Sequence, residues 1–396
     1  MKYILTLLVG CCMLLTACND KEKEPPVTPV QTLFMYLPWS GDSQALTDYF
    51  ITNIEDMKSI VKQGLPTGCR VLVFFMPDNQ TGKLFELKAK KGVVEQITLK
   101  EYTAPAITTK EGLASILADV QNFAPAPRYA MTIGCHGMAW MPAATVQTDS
   151  EARYSTAPEK EYWEHEGPLT RWFGGTSEAY RTDISTLADA IESRAIVMDF
   201  ILFDDCYMSS IEVAYELRHA AHHLIGSTSE IMASGFPYAL MGGYMLGDVN
   251  YMGICDAFHN FYSTYTYPYG TIGVTVCAEL DALARVMKRI NTVSAPISDA
   301  VRDEIQVLDG YTYTRFFDMG DYVRHYCTDE GLLAEFEEAL EAAVPSTLHR
   351  HTEKFYSQGN GTTEIETFSG ITTSDPSIDA KVVAAREGTK WWKATH

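Results

Sequence analysis

The chain has 396 residues, of which 46% are hydrophobic and 21% are charged, and its formal net charge is −20. This composition argues against a disordered chain, and the length allows one large or two modest domains. The acidic balance argues against nucleic acid and anionic membrane surfaces as partners, and it would attract cationic segments. After the first residues, no segment is apolar for long enough to span a bilayer.

The amino-terminal segment has the features of an export signal. An early lysine precedes an apolar run, which closes with Leu15-Thr16-Ala17-Cys18. An ordinary secretory signal would share these features. The closing residues, however, resemble the lipobox of bacterial lipoproteins, in which Cys18 becomes the lipidated first residue of the mature chain. The resemblance implies that residues 1–17 are a lipoprotein signal peptide.

The segment that follows the signal is a predicted tether. Residues 18–31 are polar and contain prolines, as an anchored domain requires. By the same resemblance, Asn19 after the cysteine implies anchoring in the outer membrane, either on the periplasmic face or at the cell surface. The lipid would then be the only contact of the chain with the membrane.

Strand-like and helix-like segments alternate through residues 32–396. The strand-like runs are 32–37, 70–76, a hairpin-like edge pair at 83–88 and 93–99, 129–136, 196–203 and 271–277. The helical patterns are 46–63, 110–122, 184–194, 207–219, 280–290, 318–325 and 332–343. This order predicts one α/β domain with a mostly parallel sheet sandwiched between helices and small additional elements. The polar interval 141–183 is predicted to be a surface insertion.

Two of the predicted strands end at reactive side chains. One run ends at His136-Gly137, and another ends at Asp204-Asp205-Cys206. In parallel sheets, ligands bind beyond the carboxyl ends of the strands. A thiol beside an imidazole is the minimum equipment for covalent acyl transfer, although either residue alone is more often structural. Cys206 is predicted at a helix N-terminus, which would favour the thiolate. The backbone N–H groups of Gly137 and Cys206 would hold the oxyanion.

The residues around these strand ends match motifs of a known family. The matching blocks are His136-Gly137-Met138-Ala139-Trp140, Asp204-Asp205-Cys206-Tyr207-Met208, Glu212-Val213-Ala214-Tyr215-Glu216, Gly226-Ser227 with Glu230, Gly235-Phe236-Pro237-Tyr238, and Phe317-Asp318-Met319-Gly320-Asp321. They resemble the clostripain family of cysteine peptidases, relatives of caspases, gingipains and legumain. The caspase signature around the cysteine is absent. The resemblance covers nearly the whole mature chain and implies a caspase-like fold.

The resemblance also implies an activity. It assigns a cysteine endopeptidase in which Cys206 attacks the carbonyl and His136 transfers protons, with protein or peptide substrates that contain basic residues. It places Asp204 at the base of the pocket for an arginine or lysine side chain, while Asp205 is predicted to cap the following helix. The uncharged segment Ile231–Ser234 departs from the family, whose members often carry acids there. We expect a monomer.

Other candidate residues support weaker hypotheses. No cofactor or metal site is predicted, although some relatives need calcium; Asp318 and Asp321 would suit calcium or helix capping equally. His219, His222 and His223 share a predicted helix face, which is more typical of a solvated helix end than of a metal site. His165-Glu166 lacks the second histidine of a zinc peptidase. The six cysteines after the leader include no Cys-x-x-Cys pair, and several lie in apolar runs typical of buried thiols.

Two alternative functions remain open from the sequence. One is a non-catalytic surface lipoprotein that retains the fold as a binding module. The other is a related cysteine-dependent amidase or transpeptidase. The intact pair of His136 and Cys206 favours the peptidase over the binding module, because binding alone does not require the pair.

Overall fold

The computed structural model describes residues 27–41, 46–143, 173–175 and 177–396. The predicted signal peptide, Cys18, most of the tether and residues 144–172 of the predicted insertion therefore lie outside the described residues. Within those ranges, no helix combines the length and apolar character needed to cross a bilayer.

The described strands form one large sheet and three small ones. In chain order they are β1 (Gln31–Leu37), β2 (Cys69–Phe75), β3 (Thr81–Lys90), β4 (Val93–Thr103), β5 (Arg128–Gly134), β6 (Phe173–Gly174), β7 (Arg181–Thr182), β8 (Met198–Asp204), β9 (Ala221–Gly226), β10 (Thr271–Val276), β11 (Phe317–Asp318), β12 (His349–His351), β13 (Lys354–Ser357), β14 (Gly361–Glu364) and β15 (Thr372–Thr373). The large sheet has the order β12-β10-β9-β8-β5-β1-β2-β3-β4.

The middle of the large sheet is parallel and its two edges are antiparallel. Strands β2, β1, β5, β8 and β9 run in the same direction. The hairpin β3–β4 closes one edge, and β10 and β12 close the other. The predicted α/β class with a mostly parallel sheet is confirmed, and so is the edge hairpin.

Helices cover both faces of the sheet. They are α1 (Thr47–Gln63), α2 (Lys110–Phe123), α3 (Ile184–Glu192), α4 (Ile211–Leu217), α5 (Tyr238–Met241), α6 (Tyr251–Thr264), α7 (Leu280–Val293), α8 (Asp299–Arg302), α9 (Met319–Tyr326), α10 (Glu330–Ala343), α11 (Ala380–Arg386) and α12 (Lys390–Thr395). Helices α1, α5 and α6 pack on one face. Helices α2, α3, α4, α7, α9, α10 and α12 pack on the other.

The apolar strand sequences explain this three-layer arrangement. Successive side chains of a strand point to opposite faces of a sheet. In β1, Phe34 and Tyr36 therefore pack into the core on the α2 side, whereas Leu33 and Met35 pack into the core on the α1 side. Strands buried on both faces need continuous apolar runs, which is the pattern that the sequence shows.

Two predicted elements were wrong. The helix predicted at 207–219 begins only at Ile211, so the preceding residues form a loop after β8. Residues 221–226, which contain two of the three histidines assigned to a helix face, form strand β9. His219 lies in the turn before this strand, so the three histidines share no helix face.

Candidate active site

The carboxyl ends of β5 and β8 lie side by side. Gly134 and Asp204 are direct partners in the parallel register of these strands. His136 and Cys206 each lie two residues further along the chain, so both lie just beyond the carboxyl ends of these two neighbouring strands. A Cβ atom on Gly137 would lie 2.6 Å from the carbonyl oxygen of Cys206. The two loops thus touch at Gly137, and only glycine allows this approach.

A short strand holds the backbone of His136. The N–H of His136 donates to the carbonyl of Gly174 at 3.1 Å, and the N–H of Gly174 donates back to the carbonyl of His136 at 2.9 Å. Gly174 has a φ of 126°, a conformation that favours glycine. Phe173 and Gly174, which belong to the interval 141–183, are therefore buried beside His136.

Cys206 differs from the other described cysteines in its exposure. It is half-buried, whereas the other five, all free as well, are buried. Its sulfur accepts a hydrogen bond from the N–H of Ile231 at 3.4 Å. Burial raises the pKa of the Cys206 thiol well above its usual range, and the nearby carboxylate of Glu230 adds to this shift. The hydrogen bond from Ile231 acts in the opposite direction.

The prediction that a helix N-terminus stabilises the thiolate of Cys206 is wrong. The side chain of Ser210, not of Asp205, caps helix α4 by accepting a hydrogen bond from the N–H of Val213. Cys206 lies in the loop before this cap, and its pKa shifts in the direction opposite to the predicted one. Tyr207, the next residue, has a φ of 63°. Its ring stacks on Phe316 with 5.0 Å between ring centroids.

Asp204 is buried on the α1 side of the sheet. It accepts hydrogen bonds from the side-chain amide of Asn53 at 3.1 Å and from the N–H of Phe236 at 2.8 Å. A Cβ on Gly235 would overlap a carboxyl oxygen of Asp204, and Gly235 has a φ of 63°. Burial raises the pKa of Asp204 to about 7, although the hydrogen bonds from Phe236 and Asn53 partly offset the shift. The structure therefore brings the Gly235–Tyr238 motif around Asp204.

The uncharged segment Ile231–Ser234 has a packing role. Ile231 and Met232 are 6% and 3% exposed, and both belong to the core on the α1 side. Apolar residues are what the core requires at these two positions, so acids are disfavoured at Ile231 and Met232.

Asp205 points to the opposite face from Asp204. It is 1% exposed, and its Oδ2 accepts a hydrogen bond from the thiol of Cys135 at 3.1 Å. Burial raises the pKa of Asp205 well above its usual range. The predicted helix-capping role of Asp205 is therefore wrong. This contact links the residue before His136 to the residue before Cys206, and the sequence analysis missed it.

The remaining candidates lie elsewhere. Asp318 caps helix α9 and also accepts from the N–H and hydroxyl of Ser369. The described ranges contain no group of three or more side chains suited to holding a metal ion. His165, Glu166 and Cys18 lie outside the described residues.

The geometry defines an α/β protein with a half-buried thiol and an imidazole-bearing loop at adjacent strand ends. Comparison with known proteins agrees with this class. A model of the clostripain family, C11 peptidases, matches residues 161–347. No curated protein matches the chain.

Several solved structures are similar to this chain. Iotapain, a secreted C11 cysteine protease from Bacteroides thetaiotaomicron, is 48% identical over 94% of this chain and 100% of its own, with a TM-score of 0.84. A clostripain from the same organism, in complex with the peptide inhibitor BTN-VLTK-AOMK, is 52% identical over 57% of this chain and 99% of its own, with a TM-score of 0.55. An inactive zymogen C11 protease from Parabacteroides distasonis is 27% identical over 94% of this chain and 99% of its own, with a TM-score of 0.75.

The chain therefore belongs to the clostripain family of C11 cysteine proteases. It is a cysteine peptidase with the fold of these relatives.

Proposed function

We propose that the peptidase works through a dyad of Cys206 and His136. The observation that carries this proposal is the contact between their two loops at Gly137, beside a half-buried thiol. Burial raises the pKa of the Cys206 thiol and so favours its protonated form; in this proposal, His136 accepts the thiol proton as the sulfur attacks the substrate carbonyl.

The chemical steps follow from these roles. The new S–C bond moves an electron pair onto the carbonyl oxygen, and the N–H groups of Gly137 and Cys206 stabilise that oxyanion. The C–N bond then breaks, and the amine leaves with the proton held by His136. A water molecule next attacks the thioester while His136 removes its proton. Breaking the S–C bond releases the acid and restores the thiol.

We propose that the enzyme cleaves after arginine or lysine, with Asp204 as the recognition residue. The clostripain relative that is 52% identical was crystallised with an inhibitor whose peptide, VLTK, ends in lysine. Asp204 lies two residues before the proposed nucleophile, and it is a buried carboxyl against which the segment Gly235–Tyr238 packs. A substrate cation that reaches this carboxyl would favour its charged form.

The dyad is tested with a lysine acyloxymethyl-ketone probe. The wild type is expected to be labelled at Cys206, and Cys206→Ala is expected to lose both labelling and peptide cleavage. The cleavage rate of His136→Ala should be at least about a hundredfold lower than that of the wild type. Cys277→Ala, which removes a buried free thiol in another part of the chain, is the matched control and should remain active. Cleavage by Cys206→Ala at the wild-type rate would refute the proposal.

We propose that the mature enzyme is anchored by lipid at Cys18 in the outer membrane, exposed to the periplasm or to the cell exterior. The lipobox-like Leu15-Thr16-Ala17-Cys18 supports the anchor, and iotapain is described as secreted. Fractionation of cells that express Cys18→Ser tests it. Membrane retention equal to that of the wild type would contradict the anchor.

A further inference from the structure

The carboxylate of Glu230 joins three parts of the chain beside the proposed nucleophile. It accepts hydrogen bonds from the hydroxyl of Tyr207 at 2.7 Å, from the hydroxyl of Ser357 at 2.8 Å and from the N–H of Gln358 at 3.0 Å. Tyr207 directly follows Cys206, and Ser357 is the last residue of β13. Three donors on one half-buried carboxylate fix its position more firmly than a single bond would.

The residue after Glu230 contacts the reacting atom. The N–H of Ile231 donates to the sulfur of Cys206 at 3.4 Å. The side chain of Ile231 is buried in the core, so the peptide between Glu230 and Ile231 is held from both ends. The backbone of the nucleophile loop also pairs with this segment, because the N–H of Tyr207 donates to the carbonyl of Ser229 at 3.1 Å.

We propose that Glu230 is a positioning residue, which rests on the proposed role of Cys206 as the nucleophile. Glu230 fixes the backbone N–H of Ile231 against the sulfur through the bonds that it receives from Tyr207 and Ser357. The N–H dipole favours the thiolate and limits the directions in which the sulfur points. Glu230 does not touch the substrate in this role.

A positioning role and a purely electrostatic role of Glu230 predict different results. The negative charge of Glu230 by itself disfavours the thiolate, so charge alone would make Cys206 less reactive. Tyr207→Phe and Ser357→Ala keep the carboxyl group and each remove one donor; losing a donor raises the pKa of Glu230, and any loss of its charge would favour the thiolate. A lower reactivity in both variants would therefore report the loss of positioning.

The experiment measures the alkylation of Cys206 by iodoacetamide as a function of pH, with the modified peptide quantified by mass spectrometry. Tyr207→Phe and Ser357→Ala are each expected to slow alkylation about two- to tenfold, the worth of one hydrogen bond, and to move its pH midpoint upward. Peptide cleavage should lose kcat with little change in KM. The matched control is Tyr102→Phe, which removes a tyrosine–carboxylate bond to Asp119 at the far edge of the sheet and should change neither property.

The outcomes separate this inference from the dyad. Wild-type alkylation rates and midpoints in both variants, with thermal unfolding unchanged, would overturn the positioning role. Should Tyr207→Phe fail to fold, Ser357→Ala decides alone. Cleavage by Cys206→Ala would instead refute the role of Cys206 as the nucleophile. The alkylation of Cys206 in the other variants could still be measured and interpreted in that case.

Discussion

Asp204 is both buried and fully hydrogen-bonded, unlike an ordinary surface carboxylate. It is 7% exposed, and both of its oxygens accept hydrogen bonds from the surrounding fold. Its pKa of about 7 means that binding a cationic side chain and losing a proton are linked near neutral pH. At the residue scale, substrate preference should therefore depend on pH through this group.

We expect the preference for a basic substrate to rise with pH through about 7. Above that pH Asp204 is a carboxylate that attracts a guanidinium, and below it Asp204 is neutral. Asp204→Asn should lower kcat/KM for an arginine substrate by about a hundredfold and abolish this rise. The measurement is the ratio of kcat/KM for an arginine substrate to that for its neutral analogue, because titration of the dyad cancels in the ratio.

The control for Asp204→Asn is Asp199→Asn, which alters a carboxylate at the other end of β8 that pairs with Arg128. This variant should keep the wild-type ratio at every pH. A ratio in Asp204→Asn that still rises through neutral pH would assign the preference to another group.

At the element scale, the sequence predicted the strands of the parallel core well and the elements after Cys206 poorly. Continuous apolar runs have few alternatives to buried strands, so β1, β2, β5 and β8 were predictable. Tyr207 and Met208 fit a helical pattern, but both are buried by contacts of the loop instead. Strand β9 begins only a few residues after α4, and its second and third residues are histidines, so its pattern merged with that of the helix.

The candidate site likewise contains residues that the sequence predicts and contacts that it does not. His136 and Cys206 were predictable because each ends a strand-like run with a reactive side chain. The contacts of Glu230, Ile231 and Cys135 join segments that are distant in sequence, and no local pattern predicts such pairs.

The hydrogen bond from the Cys135 thiol to Asp205 links the ends of β5 and β8. We therefore expect its loss to affect catalysis. Cys135→Ala leaves a buried carboxyl oxygen without its donor and loosens the relative position of the two loops. It should lower kcat about three- to tenfold with KM nearly unchanged. Cys135→Ser keeps a donor and should recover most of the lost kcat. Steady-state kinetics on one peptide substrate measures both variants.

Cys255→Ala serves as the control for this link. It removes another buried thiol, which donates to the carbonyl of Leu348, and it should lower stability without lowering kcat. If Cys135→Ala retains the wild-type kcat, the two loops are held without this bond.

At the scale of the whole molecule, buried acids make stability depend on pH. Burial raises the pKa of Asp204 to about 7 and the pKa values of Glu212 and Asp309 to about 8. Acids whose pKa is raised by folding favour the native state while they are protonated, and this stability is lost as pH rises through the folded pKa. The net charge of −20 adds self-repulsion in the same direction.

We therefore expect the melting temperature of the wild type to fall between about pH 5 and about pH 9, and Glu212→Gln to reduce that fall. Glu212 is 3% exposed, and its Oε1 accepts from the N–H of Ser374 at 2.7 Å, a bond that glutamine can keep. The variant should match the wild type at the acidic end, where Glu212 is protonated, and melt a few degrees higher at the alkaline end. Glu338→Gln removes an exposed charge and should leave the slope nearly unchanged. A Glu212→Gln slope equal to that of the wild type would show that this buried carboxyl does not control the alkaline loss of stability.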